Sequence, residues 1–157
     1  MERVDSSLIA LRQIMLATET FSKKLAQSVG LTAPQLRVLQ IVSKTNQCTA
    51  TQIAKQTRIT QATVTSLIDK LVKKGLVIRE RSIEDKRQTN ILVTDLGRQA
   101  IESAPDPLQQ KFVSKFSSLQ DWEQAALISA LERVASMLDA EDIKAAPVLD
   151  TGKLDEN

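Results

Sequence analysis

Between residues 5 and 29 the apolar positions Leu8, Leu11, Met15, Phe21, Leu25 and Val29 recur at roughly helical spacing, and Ile9 and Ile14 widen the stripe. The pattern predicts one long helix with a broad apolar face. Gly30 stands where a helix ends on a left-handed residue. Thr32-Ala-Pro-Gln35 has the form of a capping box, with Pro34 tolerated in the first turn. It predicts a second helix over 33–44 that buries Leu36, Leu39 and either Ile41 or Val42. Thr49-Ala-Thr-Gln52 repeats the capping form and opens a short helix over 50–56, with Ile53 and Ala54 inward.

A break at 57–59 follows, and Thr60 caps a helix over 61–74. Val64, Leu67, Ile68, Leu71 and Val72 lie at i, i+3, i+4, i+7 and i+8, a single stripe. Gly75 ends it. Residues 76–81 and 89–94 alternate well enough to form two short strands. The loop Ser82–Gln88 between them is longer than a two-residue turn and should protrude. Thr94-Asp-Leu-Gly starts another helix, which Pro105 and Pro107 interrupt. Phe112, Val113, Phe116 and Leu119 resume an apolar face. Asp121 is placed to cap a last helix striped by Trp122, Leu127, Ile128, Leu131, Val134, Ala135 and Leu138. From 147 to 157 periodicity is lost, and the tail is expected to be disordered.

The order short helix, break, longer helix, glycine, strand, charged loop, strand is that of a helix-turn-helix followed by a hairpin. The predicted fold is therefore mostly α: a winged helix-turn-helix over 31–99 with a two-stranded wing, flanked by helices over 1–30 and 100–146.

Composition narrows the function. The 157 residues suffice for one domain, or one domain with an extension. With only three Phe and one Trp, the core must be aliphatic. Cys48 is the single cysteine and there is no histidine, which excludes an internal disulfide and the usual zinc sites. No nucleophile–base pair or phosphate-cradling glycine loop stands out, so neither an enzyme nor a cofactor is expected. MERVDSSLIA carries no signal-peptide core, and no apolar run is long enough to span a membrane, so the expected location is cytoplasmic. Charge is sorted along the chain: residues 1–48 carry +3, 49–98 carry +5 and 99–157 carry −6. A basic middle points to a polyanion, although a solvated face fits the same count.

Within that middle, Gln61, Ala62, Thr63, Thr65 and Ser66 face outward near the start of the 61–74 helix. They are short and polar or methyl-bearing, suited to base edges and phosphates in a major groove. Thr49, Thr51 and Thr60 mark the two helix starts, and Lys70, Lys73 and Lys74 suit phosphates. An amphipathic helix with a solvated face fits the same stripe. In the loop SIEDKRQ, Arg87 is placed to enter a minor groove, where a narrow groove focuses negative potential. Asp85 would hold Arg87, or Arg79 or Arg81 across the hairpin, by ion pairing, and Lys86 adds charge. The alternative there is a surface salt bridge worth about 0–1 kcal/mol.

Asp85-x-Arg87 followed by Ile91-Leu-Val-Thr94-Asp-Leu-Gly97 resembles the wing signature of MarR-type transcriptional regulators. Thr63-Val-Thr-Ser-Leu-Ile-Asp-Lys-Leu-Val-Lys-Lys-Gly75-Leu-Val resembles their recognition helix and its exit, and Leu31-Thr-Ala-Pro-Gln-Leu-Arg-Val-Leu their second helix. The resemblance covers about residues 5–140. It implies an obligate homodimer, with Leu8, Leu11 and Met15 of the first helix and Leu127, Leu131, Val134 and Leu138 of the last in the interface. Packing of those two helices within one chain is the alternative. It further implies a repressor that binds a pseudo-palindromic duplex and is released by a signal. Family members commonly bind small aromatic or phenolic anions between the dimer helices and the winged helix. Arg12, Lys23, Lys24 and Arg37 are the conceivable anion partners here. The family often carries Arg where Ser66 stands, which removes or weakens one phosphate contact. Several members sense oxidants through a cysteine near the start of the first helix, and this chain has none there. Cys48, just before the short helix, is either a thiolate favoured by that helix end or a small buried hydrophobe. The stretch from Trp122 to Leu149 faintly resembles the C-terminal region of regulators linked to ectoine synthesis and osmotic adaptation. The rival from another class is a winged helix that docks a protein and does not bind DNA.

Overall fold

The computed structural model describes residues 2–152 and 154. Its elements run α1 (Glu2–Val29), α2 (Ala33–Thr45), α3 (Ala50–Thr57), α4 (Gln61–Lys73), β1 (Val77–Arg81), β2 (Thr89–Val93), α5 (Asp95–Ser103), α6 (Leu108–Ser117) and α7 (Asp121–Met137). Local chemistry accounts for most boundaries. Thr32 and Thr49 each accept a hydrogen bond from the backbone N–H three residues on, and Gln35 and Gln52 reach back to accept from the cap N–H, at 3.2 and 2.9 Å. Both capping boxes therefore form as predicted. Gly30 and Gly75 take φ of +67° and +71°, the left-handed backbone that stops α1 and α4.

α1 starts three residues earlier than the apolar pattern alone suggests. Glu2 and Asp5 occupy its first turn, where carboxylates favour the positive end of the helix dipole. The last helix is also capped differently from expectation. Gln120 holds the cap position because the Glu123 carboxylate accepts its N–H at 2.8 Å, and Asp121 becomes the first helical residue.

α2, α3 and α4 pack on one another and on the antiparallel pair β1–β2, whose register matches Val77 with Val93, Arg79 with Ile91 and Arg81 with Thr89. Ile91 also bridges Cys48: the Ile91 N–H donates to the Cys48 carbonyl at 2.7 Å. This non-local pairing ties the wing base to the loop before α3. The buried apolar residues form a single cluster, from Leu31 and Leu39 through Ile53, Val64, Leu67 and Leu71 to Val77, Ile91 and Val93, with Leu25 reaching in from α1.

At the junction of β2 and α5 three backbones meet. The Thr94 hydroxyl donates to the Gly75 carbonyl at 2.7 Å and accepts the Gly97 N–H at 3.0 Å, while the Thr94 N–H donates to Leu76 O at 3.0 Å. A Cβ placed on Gly97 would lie 2.2 Å from Leu76 O, so the close approach requires glycine.

α6 and α7 contain no buried residue. The described part of the tail, 147–152, lies against α6 and α1. Gln109 accepts the Leu149 N–H at 3.2 Å and donates to Pro147 O at 3.0 Å, and Ser22 donates to an Asp150 carboxylate oxygen at 3.3 Å. Residues 153 and 155–157, also within the expected disordered tail, lie outside the described residues.

Candidate nucleic-acid interface

α4 buries Val64, Leu67, Ile68 and Leu71, which turns its opposite face outward. On that face Gln61, Ala62 and Thr65 are exposed, and Thr63, Ser66 and Lys70 are half-buried. The hydroxyls are partly committed. Thr60 Oγ1 accepts the Thr63 N–H at 3.3 Å and donates to Thr63 Oγ1 at 2.9 Å. The Thr63 hydroxyl therefore keeps its own proton for an external acceptor. Thr65 Oγ1 donates back to Gln61 O at 2.9 Å, leaving its lone pairs and methyl group outward. Thr49 is half-buried at its cap, with exposed Thr51 beside it.

Only the first residue of β1, Val77, is buried, so the rest of the strand leaves the body and carries the loop away from it. Arg81, Asp85, Lys86 and Arg87 are all exposed. Four hydrogen bonds hold the loop: Ser82 N–H to Gln88 O at 3.0 Å, Gln88 N–H to Asp85 O at 2.9 Å, Asp85 N–H to Ser82 Oγ at 3.2 Å, and Arg87 N–H to Asp85 Oδ1 at 3.0 Å. Asp85 thus makes an Asx-type turn. It positions Arg87 through the backbone, and no ion pair to Arg79 or Arg81 forms around it, contrary to the sequence expectation. The reason lies in strand periodicity. Arg79 is two residues from buried Val77 and shares its face, the one packed on α4, and there it pairs with Asp69. Both partners are substantially exposed, so the pair is worth about 0–1 kcal/mol, and it links the wing to the outward face of α4. Sequence reasoning missed Asp69. Its signal was available: a lone acid on an otherwise neutral or basic outward face. Lys74 reaches the other way, donating to Gly30 O at 2.7 Å across the end of α1.

Cys48 is buried, and burial pushes its thiol above the usual range, with a smaller opposing effect from a hydrogen bond to Thr45. The buried-hydrophobe reading holds.

A cavity of about 350 Å³ opens between α1, α2 and α6, walled by Phe21, Leu36 and Val113, with Arg37 and Lys44 on its polar side and Leu149 of the tail at its edge. Of the four basic residues considered as anion partners, only Arg37 lines it. Lys24 faces a neighbouring hollow, and Lys23 pairs with Glu19 at 2.7 Å. Lys44 was missed although it stands two turns after Arg37 on the same face of α2; only the α6 residues that close over this face make it a cavity wall. Among the described residues, no acidic or cysteine cluster could hold a metal, and no helix is long and apolar enough to cross a membrane.

A helix-turn-helix with an exposed polar face on its second helix, paired to a charged hairpin, defines a winged-helix protein. Residues 29–88 match the model of the MarR family. The uncharacterised HTH-type transcriptional regulator YcgE of Bacillus subtilis is 25% identical over 130 residues, covering 83% of this chain and 84% of that protein. The crystal structure of a MepR-like protein complexed with pseudoligands matches at 26% identity and a TM-score of 0.59, over 88% of this chain and 97% of that one. A point mutant of S. aureus MepR bound to an oligodeoxyribonucleotide matches at 25% identity and a TM-score of 0.56, over 83% and 96%. Over its winged-helix lobe the chain is thus similar to the MarR family, and over most of its length to these regulators.

Proposed function

We propose that the protein is a homodimeric, sequence-specific DNA-binding repressor of transcription, released when an apolar acid fills the cavity between α2 and α6. The observation that carries this reading is the joint placement of the α4 face and Arg87. Gln61, Ala62, Thr63, Thr65 and Ser66 are set to read base edges in a major groove. Lys70 and the N-terminal threonines of α3 and α4 are set against phosphates. The hydrogen-bonded loop delivers Lys86 and Arg87 to the adjoining minor groove. Arg81 extends the basic edge, while Arg79 serves mainly to brace the wing on Asp69.

Two supports come from outside the interface. A MepR mutant has been captured on an oligodeoxyribonucleotide, and a MepR-like protein with pseudoligands. In this chain, α1, α6, α7 and the residue after α7 expose apolar side chains that a second copy would cover, Leu8, Met15, Leu127, Leu131 and Leu138 among them, with Leu11 and Val134 half-buried at their edges. Two copies would place two α4 helices against a pseudo-palindromic duplex. The cavity's apolar wall with Arg37 and Lys44 suits a small aromatic or aliphatic acid. Because it lies between the winged helix and a flanking helix, occupancy would alter the spacing of the two α4 helices. Couplings of this kind are typically about 1–3 kcal/mol.

The test is fluorescence anisotropy with duplex from the gene's own upstream region against a scrambled duplex, over a salt series. The expected result is a preference for the native duplex, with affinity falling steeply as salt rises. No binding to either duplex at low salt would overturn the reading in favour of a protein-docking winged helix.

A further inference from the structure

Ile83 is 93% exposed, more than any other large apolar side chain among the described residues; Trp122 follows at 73%. Trp122 and most of the others lie on α1, α6 and α7, where a second copy would cover them. Ile83 lies on the wing loop, well away from those helices in the chain, among the charged side chains Arg81, Glu84, Lys86 and Arg87. The Asp85 N–H to Ser82 Oγ bond, the Gln88 N–H to Asp85 O bond and the Ser82 N–H to Gln88 O bond fix the loop around it. A β-branched side chain exposed to water on a hydrogen-bonded loop, beside the Arg87 that the same loop orients, suits an apolar surface bounded by negative charge. The wall of a DNA minor groove is such a surface, with deoxyribose faces between two rows of phosphates.

We propose that Ile83 is an apolar contact residue of the wing, packing against deoxyribose in the minor groove beside Arg87 and wedging toward the base step there. This rests on the DNA-binding reading above. It assigns the wing tip two kinds of contact: charge from Arg87, which responds to salt, and apolar burial from Ile83, which does not.

The experiment compares the full-length protein with its Ile83→Ser and Ile83→Met variants on the upstream duplex, by anisotropy over a salt series and by hydroxyl-radical footprinting. Ile83→Ser should bind about tenfold more weakly. Its slope of log Kd against log salt should be unchanged, because no phosphate contact is lost. Its footprint should keep the protections under α4 and lose those of the outer minor-groove sugars. Ile83→Met should restore affinity and footprint, and thermal melting of both variants should match wild type. An Ile83→Ser protein with wild-type affinity and footprint overturns the wedge while leaving DNA binding intact. A lowered salt slope would also overturn it, since the loss would then be electrostatic. If the wild-type protein itself binds neither the upstream nor the scrambled duplex, the DNA-binding reading fails and the wedge with it.

Discussion

The winged-helix lobe and the helices that flank it both carry apolar side chains at helical spacing, and they use them in opposite ways. In the lobe, the stripe of α4 and the inward residues of α2, α3 and both strands are buried to near completion within one chain. On α1 only Thr18 and Leu25 are buried, and α6 and α7 bury nothing, although α7 displays Trp122, Leu127, Ile128 and Leu131, with Leu138 just past its end. Periodicity therefore says which face of a helix is apolar, and not what covers it. In the lobe the cover is the next element of the same chain. On the flanks the cover must be supplied, and the proposed second copy supplies it. The alternative, α1 packed along α7 within one chain, is not what the structure has: neither helix packs extensively on the other.

The most severe way to break this contrast is to charge the flank. Leu131 is half exposed in the single chain, so Leu131→Arg should leave the lobe folded while removing association. Light scattering should report a monomer with near-native helicity by circular dichroism, and operator affinity should fall by about a hundredfold or more, since one α4 can no longer recruit its twin. A dimer that survives would mean that the exposed stripe has another purpose.

The lobe breaks in a different manner. Gly97→Ala forces a methyl group into Leu76 O, a backbone atom that cannot rotate away. The cost should be about 3 kcal/mol, read as a melting temperature lower by roughly 10 °C, with the monomer–dimer balance changed only through unfolding. If Gly97→Ala melts like wild type, the β2–α5 junction is looser than its hydrogen bonds imply.

Smaller effects sharpen the division inside the proposed DNA-facing surface. Arg87→Ala should weaken operator binding about tenfold and lower the salt slope by about 1, with no loss of stability, because the turn it belongs to is made by Asp85 and the backbone. Thr65→Ala should cost about 1 kcal/mol on the operator and almost nothing on scrambled duplex, since its methyl group and lone pairs face outward. Equal losses on both duplexes would count against base reading by α4.

Much of this was legible in the sequence wherever a structural feature is decided within four or five residues. Thr32 with Gln35, Thr49 with Gln52, Thr60, Gly30 and Gly75 announce their helix ends because donor, acceptor and permissive backbone lie within a turn of one another. What was not legible depends on residues brought together by folding. The Asp69–Arg79 pair needs β1 laid on α4, the Ile91–Cys48 bridge needs β2 returned to the loop before α3, and Arg37 with Lys44 form a cavity wall only once α6 lies over α2. The role of Asp85 fell between the two cases. Charge offers it the side chains of Arg87, Arg79 and Arg81 as ion-pair partners, whereas turn geometry gives its carboxylate the Arg87 N–H.

The Ile91–Cys48 bridge offers the finest probe of the lobe. Burial raises the Cys48 thiol, so the folded chain holds that proton at pH values where the unfolded chain has begun to release it. Folded protein then binds more protons than unfolded protein, and stability must fall as pH rises past the ordinary thiol value of about 8.5. The fall ends only above the raised folded value. Denaturant midpoints at roughly pH 7.5 and 9.5 should therefore diverge more in the wild type than in Cys48→Ala, which keeps the backbone bridge and removes the titration. The difference should be small compared with that from Gly97→Ala, because it costs the lobe no contact. If the two proteins lose stability in parallel, the thiol is wetter than its 3% exposure indicates. The wing base would then open to water more readily than the helices beneath it, and the lobe would share some of the incompleteness of the flanks.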